Sequence, residues 1–436
     1  MKNKNILKMV NHMNSNVDYL KKTFKDNPDF VLREVESGTK DTIYIAFFES
    51  LVDSNSINDF IIRSISFYRR NNKKVKDIKT VIDGPKLSEL VDAEEMFYYL
   101  ENGFALIIYK KKIFAVEAKA NLDRGVTMSQ TEPNMYGPKD SFCENYQKNV
   151  GLIKRRIKNK NLKIEAVDRG IYTKTKLGLI YIDDKTNKDT LDKIKKKLDS
   201  FKDREVIDSY DVVQELKKSN VFPTILKTET PAIVARYLLK GYIAITIDNT
   251  PFVLIIDAHF SDFINPFTTD DFIRVLRYLC LFLTVMTPAI YIALINFDQE
   301  AIPTSLLISF SEQRSGVPFP AIVEAVIMLV ICEILRESDI RFPSNYGSSA
   351  SILGALILGE AAVNAGFVSP IMIIVVAISF ISSLIFTEVK LVNALRVMRF
   401  VFLLAASFLG LYGLSMTFIA FLAYIANVDL YEGNYI

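Results

Sequence analysis

Hydrophobic residues follow two different patterns along this chain of 436 residues. In residues 1–271, short runs of β-branched and aromatic residues alternate with segments of amphipathic spacing, which predicts strands and helices with one buried face. In residues 272–436 the apolar runs are much longer and carry almost no charge. The chain therefore consists of a polar first part and an apolar second part.

Within the polar part, six runs have the composition of strands and four have the periodicity of helices. The predicted strands are 42–48, 104–109, 113–118, 177–182, 242–247 and 252–257. The predicted helices are 56–70, 87–102, 187–201 and 230–240. This alternation indicates mixed α/β structure.

Two segments of the polar part resemble each other. "YLENGFALIIYKKKIFAV" (99–116) aligns without a gap with "YLLKGYIAITIDNTPFVL" (237–254). In each copy a glycine, Gly103 or Gly241, stands where a helix ends and a strand begins, a position that often requires a positive φ. We therefore predict two related α/β subdomains, whose boundaries, with the linker and basic helix between them, are 1–130, 131–162 and 163–271.

The apolar part has the length statistics of a membrane protein. Its stretches without a charged residue are 278–297, 342–359, 361–387 and 400–428. Because a helix rises ~1.5 Å per residue and the hydrocarbon core is roughly 30 Å thick, about 20 apolar residues span it. We predict an all-α polytopic domain at 272–436 with about five spans, at 278–297, 317–335, 347–366, 368–387 and 400–428. A large soluble core of buried helices is the disfavoured alternative.

The basic residues of the apolar part predict its orientation, since Lys and Arg favour the cytoplasmic side. With five spans, all seven basic residues next to the spans lie on one side: Arg274, Arg277, Arg336, Arg341, Lys390, Arg396 and Arg399. The amino-terminal region is then cytoplasmic, and the opposite side receives Asp298, Glu300, Glu312, Arg314, Asp429 and Glu432. The last predicted span is long enough to break at Gly410 or Gly413.

The segment between the two subdomains has a strongly basic helix. Its basic residues are Lys148, Lys154, Arg155, Arg156, Lys158 and Lys160. One interpretation is a nucleic-acid surface. The favoured interpretation is a surface that faces solvent or lipid headgroups, because the chain already predicts attachment to a membrane.

Composition gives little support for enzyme chemistry. The three cysteines, Cys143, Cys280 and Cys332, are too few for a disulfide-stapled secreted fold, and we assign them no redox role. No phosphate-binding loop, nucleophile elbow or metal-ligand spacing is found in the sequence. We therefore predict no enzymatic activity, no catalytic or metal site and no cofactor.

Ionisable residues inside the apolar stretches are the candidate functional residues. Burying a carboxylate in a bilayer costs at least ~2.5 kcal/mol, so Glu324, Glu333 and Glu360 should face a cavity, a path or a partner. Nine residues separate Glu324 from Glu333, which puts them on opposite faces of one helix. One carboxylate is then expected to line a path and another to bond a neighbouring helix. Structural pairing with Arg336 or Arg341 is an equally weighted alternative.

Small residues and prolines predict helix packing and helix breaks. Gly347, Ser351, Ala355 and Gly359 recur every fourth residue and form a stripe for close helix contact. Prolines break helices, which a bilayer tolerates only where protein or water satisfies the freed backbone groups. The predicted hinges are Pro318, Pro320, Pro343 and Pro370.

Several longer segments carry a specific resemblance. In the apolar part they are "IPTSLLISFSEQRSGVPFPAIVEA", "CEILRESDIRFPSNYG", "GALILGEAAVNAGFVSP" and "TPAIYIAL". In the polar part they are "EPNMYGPKDSFCENYQKNVGLIKRRI" and "FPTILKTETPAIVARYLLKG". Together these segments resemble the A subunit of the GerA-type spore germinant receptor family, which includes the related stage V sporulation protein AF.

The resemblance implies an integral protein of the inner membrane of the endospore, with its amino-terminal domain on the core side. Such A subunits work with an integral B subunit and a lipoprotein C subunit. They are expected to form a homo-oligomer, a pentamer in the leading view, around a path that releases monovalent cations when a nutrient binds. No nucleic acid is implied. A secondary transporter and a non-conducting scaffold subunit are the alternatives.

The family pattern is carried over to residues of this chain by position. The charged and proline positions fall on Glu324, Glu333, Arg336, Glu337, Arg341 and Pro343, which we expect at an ion path or gate. The small-residue segment falls on Gly354, Gly359, Ala361, Gly366 and Pro370, and with Ala355 is expected to pack helices. Glu360 departs from the family's usual Gln and changes the charge of the expected path. The chain is also expected to stop several tens of residues before the family's carboxyl end.

Overall fold

The computed structural model describes most of the chain. The described residues are 13–25, 27–36, 42–70, 78–82, 87–90, 93–110, 112–120, 138–200, 202–264, 271–341 and 359–435. They divide into two compact units. Unit 1 consists of Met1–Lys217 with Ile225–Asp257, and unit 2 consists of Lys218–Thr224 with Ala258–Ile436.

Unit 1 contains ten strands among its described residues, and helices separate several of them. In its first half the elements are α1 (Met13–Thr23), β1 (Phe30–Glu36), β2 (Thr42–Phe48), α2 (Ser54–Ser56 continuing through Ile57–Ile62 and Arg63–Arg70), β3 (Leu87–Leu90), α3 (Ala93–Glu101), β4 (Phe104–Tyr109) and β5 (Lys112–Glu117). In its second half they are α4 (Tyr146–Arg156), β6 (Leu162–Arg169), β7 (Thr175–Ile182), α5 (Lys188–Ser200), α6 (Ser209–Leu216), β8 (Ile225–Thr228), α7 (Pro231–Leu239), β9 (Ile243–Ile247) and β10 (Val253–Ile256).

The strands form two five-stranded sheets with the same topology. The first has the order β1-β2-β4-β5-β3, and the second has the order β6-β7-β9-β10-β8. Every strand pair in both sheets is antiparallel. The internal repeat predicted from 99–116 and 237–254 is therefore a repeat of a whole sheet, and the prediction of two related sheet subdomains followed by helices is confirmed.

The first sheet is covered on both faces. Along β4 every residue is buried, and successive side chains enter different cores, as the alternation of a strand requires. Ala105, Ile107 and Tyr109 pack in one core with α2. Phe104, Leu106 and Ile108 pack in the other with α1 and α3. These runs read as continuously apolar because both faces exclude water.

The positive φ predicted at the two repeat glycines is confirmed, with 79° at Gly103 and 99° at Gly241. At Gly103 an added Cβ would lie 2.8 Å from the carbonyl oxygen of Leu51, so the chain also approaches its neighbour closely there. At Gly241 the carbonyl oxygen of Lys185 lies at the same distance from an added Cβ. Both repeats therefore need glycine for two independent reasons.

Two differences from the predicted elements have clear reasons. The predicted helix 87–102 is wrong at its start, because Leu87–Leu90 is the edge strand β3. Its apolar positions also fit a helix, so four residues could not separate the two periods. The strands β1, β6 and β8 were not predicted, since β1 and β6 carry many charged residues and β8 has only four residues.

Unit 2 is helical. Its helices are α8 (Phe260–Ile264), α9 (Asp271–Asn296), α10 (Thr304–Arg314), α11 (Ala321–Arg341), α12 (Pro370–Ser383) and α13 (Val389–Ala426), and residues 359–364 are helical as well. Their common core contains Ile292 of α9, Ala325 of α11, Met372 of α12 and Leu403 of α13. The helices thus pack against one another through apolar faces.

Helix α13 is not one continuous rod. Gly410 has φ 60° and ψ −144°, which interrupts the helix as the sequence predicted. The rings of Phe402 and Phe421 lie 5.8 Å apart, although nineteen residues of straight helix would separate them by roughly 28 Å. The two segments, α13a (389–409) and α13b (411–426), therefore run antiparallel as a helical hairpin. The last predicted span, 400–428, is therefore interrupted at Gly410, and its crossing of a membrane stays a prediction.

Contacts give the relative directions of the helices in unit 2. Gly410 lies against Phe297, so α9 and α13a end near each other and run the same way. Ser369 and Ser383, at the two ends of α12, bond to Glu324 and Arg336 of α11, so α11 and α12 run parallel. Both run opposite to α9, because Tyr291 near the end of α9 packs in one core with the beginnings of α11 and α12. The hairpin then returns the chain to the side where α9 begins.

The last residues of unit 2 pack against its first segment. The Tyr435 hydroxyl donates to the carbonyl oxygen of Pro223, and the Phe260 amide donates to the carbonyl oxygen of Tyr435. The ammonium of Lys218 lies 4.0 Å from the ring centroid of Tyr431. The break at Gly410 thus returns the carboxyl end to the segment 218–224 of the same unit, and the side of a membrane on which Asp429 lies stays a prediction.

Two described helical ranges are long and apolar enough to cross a membrane by length and composition, Asp271–Asn296 and Val389–Ala426, and the second is interrupted at Gly410. Pro370–Ser383 is apolar but shorter. Five spans therefore stay a prediction. In particular, the third predicted span, 347–366, lies mostly outside the described residues.

Replacing Gly410 tests the break in α13. We expect Gly410→Ala to lower the thermal stability of unit 2 by about 1–3 kcal/mol, because its φ strains an L residue and the new Cβ would meet Phe297 at 2.9 Å. Thermal unfolding of the purified full chain in detergent measures this. Gly316→Ala is the matched control, since nothing lies within 4 Å of its added Cβ. Equal midpoints for both variants would contradict the hairpin.

Candidate functional site

The carboxylate of Glu324 lies wholly inside unit 2, with a relative exposure of 0%. Its Oε2 accepts hydrogen bonds from the Ser369 backbone amide at 3.0 Å and from the Ser369 hydroxyl at 2.8 Å. Its Oε1 lies 3.4 Å from Nε of Arg314, without the geometry of a hydrogen bond. Glu324 therefore joins three helices: α11, the start of α12 and the end of α10.

The sequence places Ser369 where it can donate hydrogen bonds to Glu324. Ser369 precedes Pro370, the first residue of α12, so its own amide is a free donor just outside the helix. An acidic side chain at a helix amino terminus is stabilised by the unpaired amides and by the helix dipole. Glu324 supplies that charge from another helix and is itself compensated by Arg314.

The second carboxylate, Glu333, lies among arginines. Its Oε2 is 2.8 Å from Nε of Arg396 on α13a, again without hydrogen-bond geometry. Arg399, one turn further along α13a, is buried with 2% exposure. Arg336, on α11, donates to the Ser383 hydroxyl at 2.7 Å and lies over the ring of Phe380. Glu324 and Glu333 therefore enter two separate clusters, as their opposite faces on α11 require.

The expected pairing with Arg336 or Arg341 stays a prediction: Arg336 lies within electrostatic range of Glu333 without a described ion pair to it, and the side chain of Arg341 is not described. Arg336 bonds Ser383, while the partners at ion-pair distance are Arg314 for Glu324 and Arg396 for Glu333. Sequence reasoning missed Arg314, Arg396 and Arg399 as partners, although its own positive-inside count included the last two.

The other predicted residues are distributed as follows. Glu337 and Glu360 are exposed on unit 2, and Gly359 and Gly366 are partly buried. Pro318 and Pro320 are exposed between α10 and α11, and Pro370 begins α12. The predicted residues outside the described part are Pro343, Gly347, Ser351, Gly354 and Ala355. Their packing and hinge roles stay predictions.

Unit 1 contains a polar centre that the sequence did not predict. Lys154 of the basic helix α4 is buried and pairs with Asp29, and its ammonium lies 3.7 Å from the centroid of the Phe48 ring. Asp29 also accepts from the Ser50 amide at 2.8 Å and from its hydroxyl at 2.7 Å. Burial lowers the pKa of Lys154, and Asp29 opposes that shift.

The position of α4 changes the interpretation of its charges. Seven of its residues are buried, including Lys154, and Arg156 donates to both carboxylate oxygens of Asp140. The prediction of a solvated or headgroup-facing surface is wrong for Lys154 and Arg156. Lys148, Arg155, Lys158 and Lys160 are exposed, as that interpretation expects. Six basic residues in sequence therefore overstate the basic surface that either interpretation needs.

Glu101, at the end of α3, is the titratable group beside this centre. Burial raises the pKa of its carboxyl to about 7, while the charges of Lys154 and Lys158 act in the opposite direction. Lys158 donates to the side chain of the next residue, Asn102. The Glu101 carboxyl therefore changes its charge close to neutral pH.

Among the described residues, no three His, Cys, Asp or Glu side chains lie close enough together to hold a metal ion. The three cysteines are free thiols.

Several known proteins with similar sequences are spore germination proteins. The chain is 34% identical over 431 residues to spore germination protein KA of Bacillus subtilis (strain 168), covering 95% of this chain and 79% of the relative. It is 28% identical to spore germination protein GerQA of Bacillus cereus, with coverages of 96% and 85%. It is also 28% identical to spore germination protein B1 of Bacillus subtilis (strain 168), with coverages of 97% and 91%.

The particular family follows from a match over nearly the whole chain. Residues 18–436 match the family described as Bacillus/Clostridium GerA spore germination protein, and the chain belongs to that family. A solved structure, the N-terminal domain of the A subunit of the Bacillus megaterium spore germinant receptor GerK3, is 25% identical with a TM-score of 0.42. It covers 57% of this chain and 96% of its own. The family is a germinant receptor subunit and not a known enzyme class.

Replacing Ser369 tests the tie between α11 and α12. We expect Ser369→Ala to destabilise unit 2 by about 1–3 kcal/mol, because the buried Glu324 carboxylate loses the hydroxyl donor at 2.8 Å. Thermal unfolding of the full chain in detergent is the measurement. Ser305→Ala on α10, where the side chain is exposed, should leave the midpoint unchanged. A similar loss in both variants would show that Ser369 has no special role.

The raised pKa of Glu101 predicts a pH-dependent stability of unit 1. The pKa of this carboxyl is about 7 in the folded chain and is ordinarily 4.5. Its contribution to stability is therefore complete below the lower value and is lost as pH rises through about 7. We expect Glu101→Gln to remove this fall. Urea unfolding followed by circular dichroism, at about pH 5 and about pH 8, measures it. Glu95→Gln, exposed on the same helix, is the control and should keep the wild-type slope.

Proposed function

We propose that this chain is the membrane subunit of a spore germinant receptor and assembles as a homo-oligomeric, nutrient-gated channel that releases monovalent cations. Family membership supports a subunit of the germinant receptor type. Ion conduction, assembly into a homo-oligomer and gating by a nutrient are what we propose beyond it. The proposed location is the inner membrane of the endospore, with unit 1 on the core side.

The proposal rests on the exposed carboxylate of Glu360. It is the one charged residue between Phe342 and Thr387, and its side chain is exposed rather than covered by its own chain. A carboxylate at membrane depth costs at least ~2.5 kcal/mol unless water or a partner meets it. Shared between copies, a ring of such carboxylates would attract cations along a wet path.

The remaining predicted residues divide by their surroundings. Glu337 is exposed and is proposed to lie on the same path. Glu324, Glu333 and Arg336 bond neighbouring helices, and we propose that they hold the helices whose rearrangement opens it. The hinges at Pro318, Pro320, Pro343 and Pro370 belong to the same proposal, as does close packing through the small residues, namely Gly347, Ser351, Gly354, Ala355, Gly359 and Gly366.

Gating would be a shift between two packings of unit 2. The proposed partners are an integral B subunit, which would bind the nutrient, and a lipoprotein C subunit. Nutrient binding to the B subunit would favour the open packing only as far as the nutrient binds more tightly when unit 2 is open than when it is closed. Exposed apolar side chains on α13, such as Phe408 and Tyr412, provide surfaces for lipid or for other subunits.

Two other functions remain candidates, each with its own observation. The break at Gly410 resembles the discontinuous helices at which secondary transporters bind substrate. The two compensated acidic clusters are also compatible with a scaffold subunit that conducts nothing. Saturable substrate uptake by the purified protein alone would favour the transporter, and absence of any conductance in a bilayer would favour the scaffold.

Replacing Glu360 tests the ion path. In spores we expect Glu360→Gln to slow nutrient-triggered cation release several-fold, because the path loses a negative charge. In planar bilayers Glu360→Lys should lower the cation-to-anion permeability ratio. Cation release is followed with an ion-selective electrode.

The matched control is Glu312→Gln, an exposed carboxylate on α10 with the same change of charge. It should release cations at the wild-type rate. If both Glu360 variants release cations normally with unchanged selectivity, Glu360 is not in the path.

A further inference from the structure

Three arginines of unit 2 converge near a single carboxylate. Arg336 comes from α11, and Arg396 and Arg399 come from α13a. The three guanidinium groups lie within electrostatic range of one another and of Glu333. We call Arg336, Arg396 and Arg399 the arginine cluster. Among the described residues that interact with it, one negative charge faces three positive charges.

Two arginines of the cluster have a buried donor atom that is not used. Nη1 of Arg336 and Nε of Arg399 have no hydrogen-bond partner among the described residues, whereas Nε of Arg396 lies 2.8 Å from Oε2 of Glu333. Arg399 is 2% exposed, so bulk water does not replace the missing partner. An unsatisfied buried donor costs about 1–3 kcal/mol, and more when it is charged. Excess charge and unused donors therefore occur at the same place.

The cluster is closed on one side and open on the other. Arg399 and Ser383 are buried, whereas the Arg396 side chain is 31% exposed and Arg336 is partly exposed. Ser383 ends α12 and accepts from Arg336 at 2.7 Å, which holds that guanidinium in place. An anion can thus approach past Arg336 and Arg396 and meet donors already oriented.

We propose that the arginine cluster binds a phosphate group, the oxyanion whose several acceptors match converging guanidinium donors. Planar guanidinium groups recognise phosphate through paired hydrogen bonds, and such charge-assisted bonds are about twice as strong as neutral ones. The group is carried by an anionic lipid headgroup or by a free phosphate. A phosphate monoanion or dianion compensates the charge that Glu333 alone leaves unbalanced.

The position of the cluster suits a headgroup. Arg336, Arg396 and Arg399 are among the basic residues that the sequence assigns to the cytoplasmic side of the spans, where anionic lipids attract them. Exposed apolar residues lie on the same two helices as the cluster, including Ile334 on α11 and Val397 on α13a. Acyl chains would cover these side chains while the phosphate meets the arginines. The site does not depend on whether the chain conducts ions.

The experiment measures phosphate and lipid binding by the purified full chain. Native mass spectrometry from vesicles of phosphatidylglycerol, with phosphatidylcholine vesicles as the comparison, counts retained lipid. A thermal shift with inorganic phosphate, against chloride at equal ionic strength, detects the free anion. We expect retention of phosphatidylglycerol, or a shift with phosphate, and the arm that responds identifies the source.

Four variants make the result specific. Arg336→Gln should lower retention or the shift at least several-fold, and Glu333→Gln should raise it, because the cluster loses its one acid. Arg274→Gln, a half-exposed arginine paired with Asp271 on α9, is the control and should bind as the wild type does. If Arg336→Gln fails to fold, Arg336→Lys keeps the charge but not the planar fork and should give an intermediate loss.

Two results would overturn the proposal. One is equal binding of phosphatidylglycerol and phosphatidylcholine together with no phosphate-specific shift. The other is binding that Arg336→Gln and Arg274→Gln weaken equally, which would indicate attraction to general positive charge. In either case the unused donors would have to be met by a carboxylate of another chain.

Discussion

Compensation of charge inside apolar surroundings is the constraint on which unit 2 depends. A carboxylate or guanidinium removed from water must meet an opposite charge or a set of donors and acceptors, because the cost of leaving it alone exceeds the stability of most contacts. Glu324 meets Ser369 and Arg314, and Glu333 meets Arg396. These hydrogen bonds and ion pairs determine which helices lie side by side.

The same constraint appears in unit 1 on a smaller scale. Lys154 is buried with Asp29, and Asp29 receives two further bonds from Ser50. Breaking such a pair is costly, whereas an apolar replacement of both partners can be neutral. The pair therefore specifies which surface of α4 packs where, while the apolar residues of the two sheets provide most of the stability. The raised pKa of Glu101 is a consequence of the same burial.

The helical hairpin at Gly410 connects packing with topology. A positive φ beside the ring of Phe297 reverses the chain, and α13b then returns toward the side where α9 begins. The carboxyl-terminal residues reach Pro223 and Phe260 as a result. A difference of one reversal changes the side on which every later residue lies. The residues that can line a path through unit 2 therefore depend on the order and direction of its helices as well as on charge compensation.

Local pattern was sufficient for much of the fold. The runs at β2 and β4, the repeat glycines and the break at Gly410 follow from hydrophobic period and from backbone sterics, which act within a few residues. The edge strand β3 was missed because four residues fit a helix equally well. The family resemblance, which the comparisons confirmed, also needed only the order of residues along the chain.

The side chains that compensate each buried charge could not be predicted from local pattern. Glu324 and Ser369 are 45 positions apart, and Asp29 and Lys154 are 125 apart. Arg336 is adjacent to the acids in sequence and yet bonds Ser383. The sequence shows which charges need compensation, since that depends on local hydropathy alone. Only the tertiary structure decides which charge supplies it, because that depends on how helices distant in the chain are brought together.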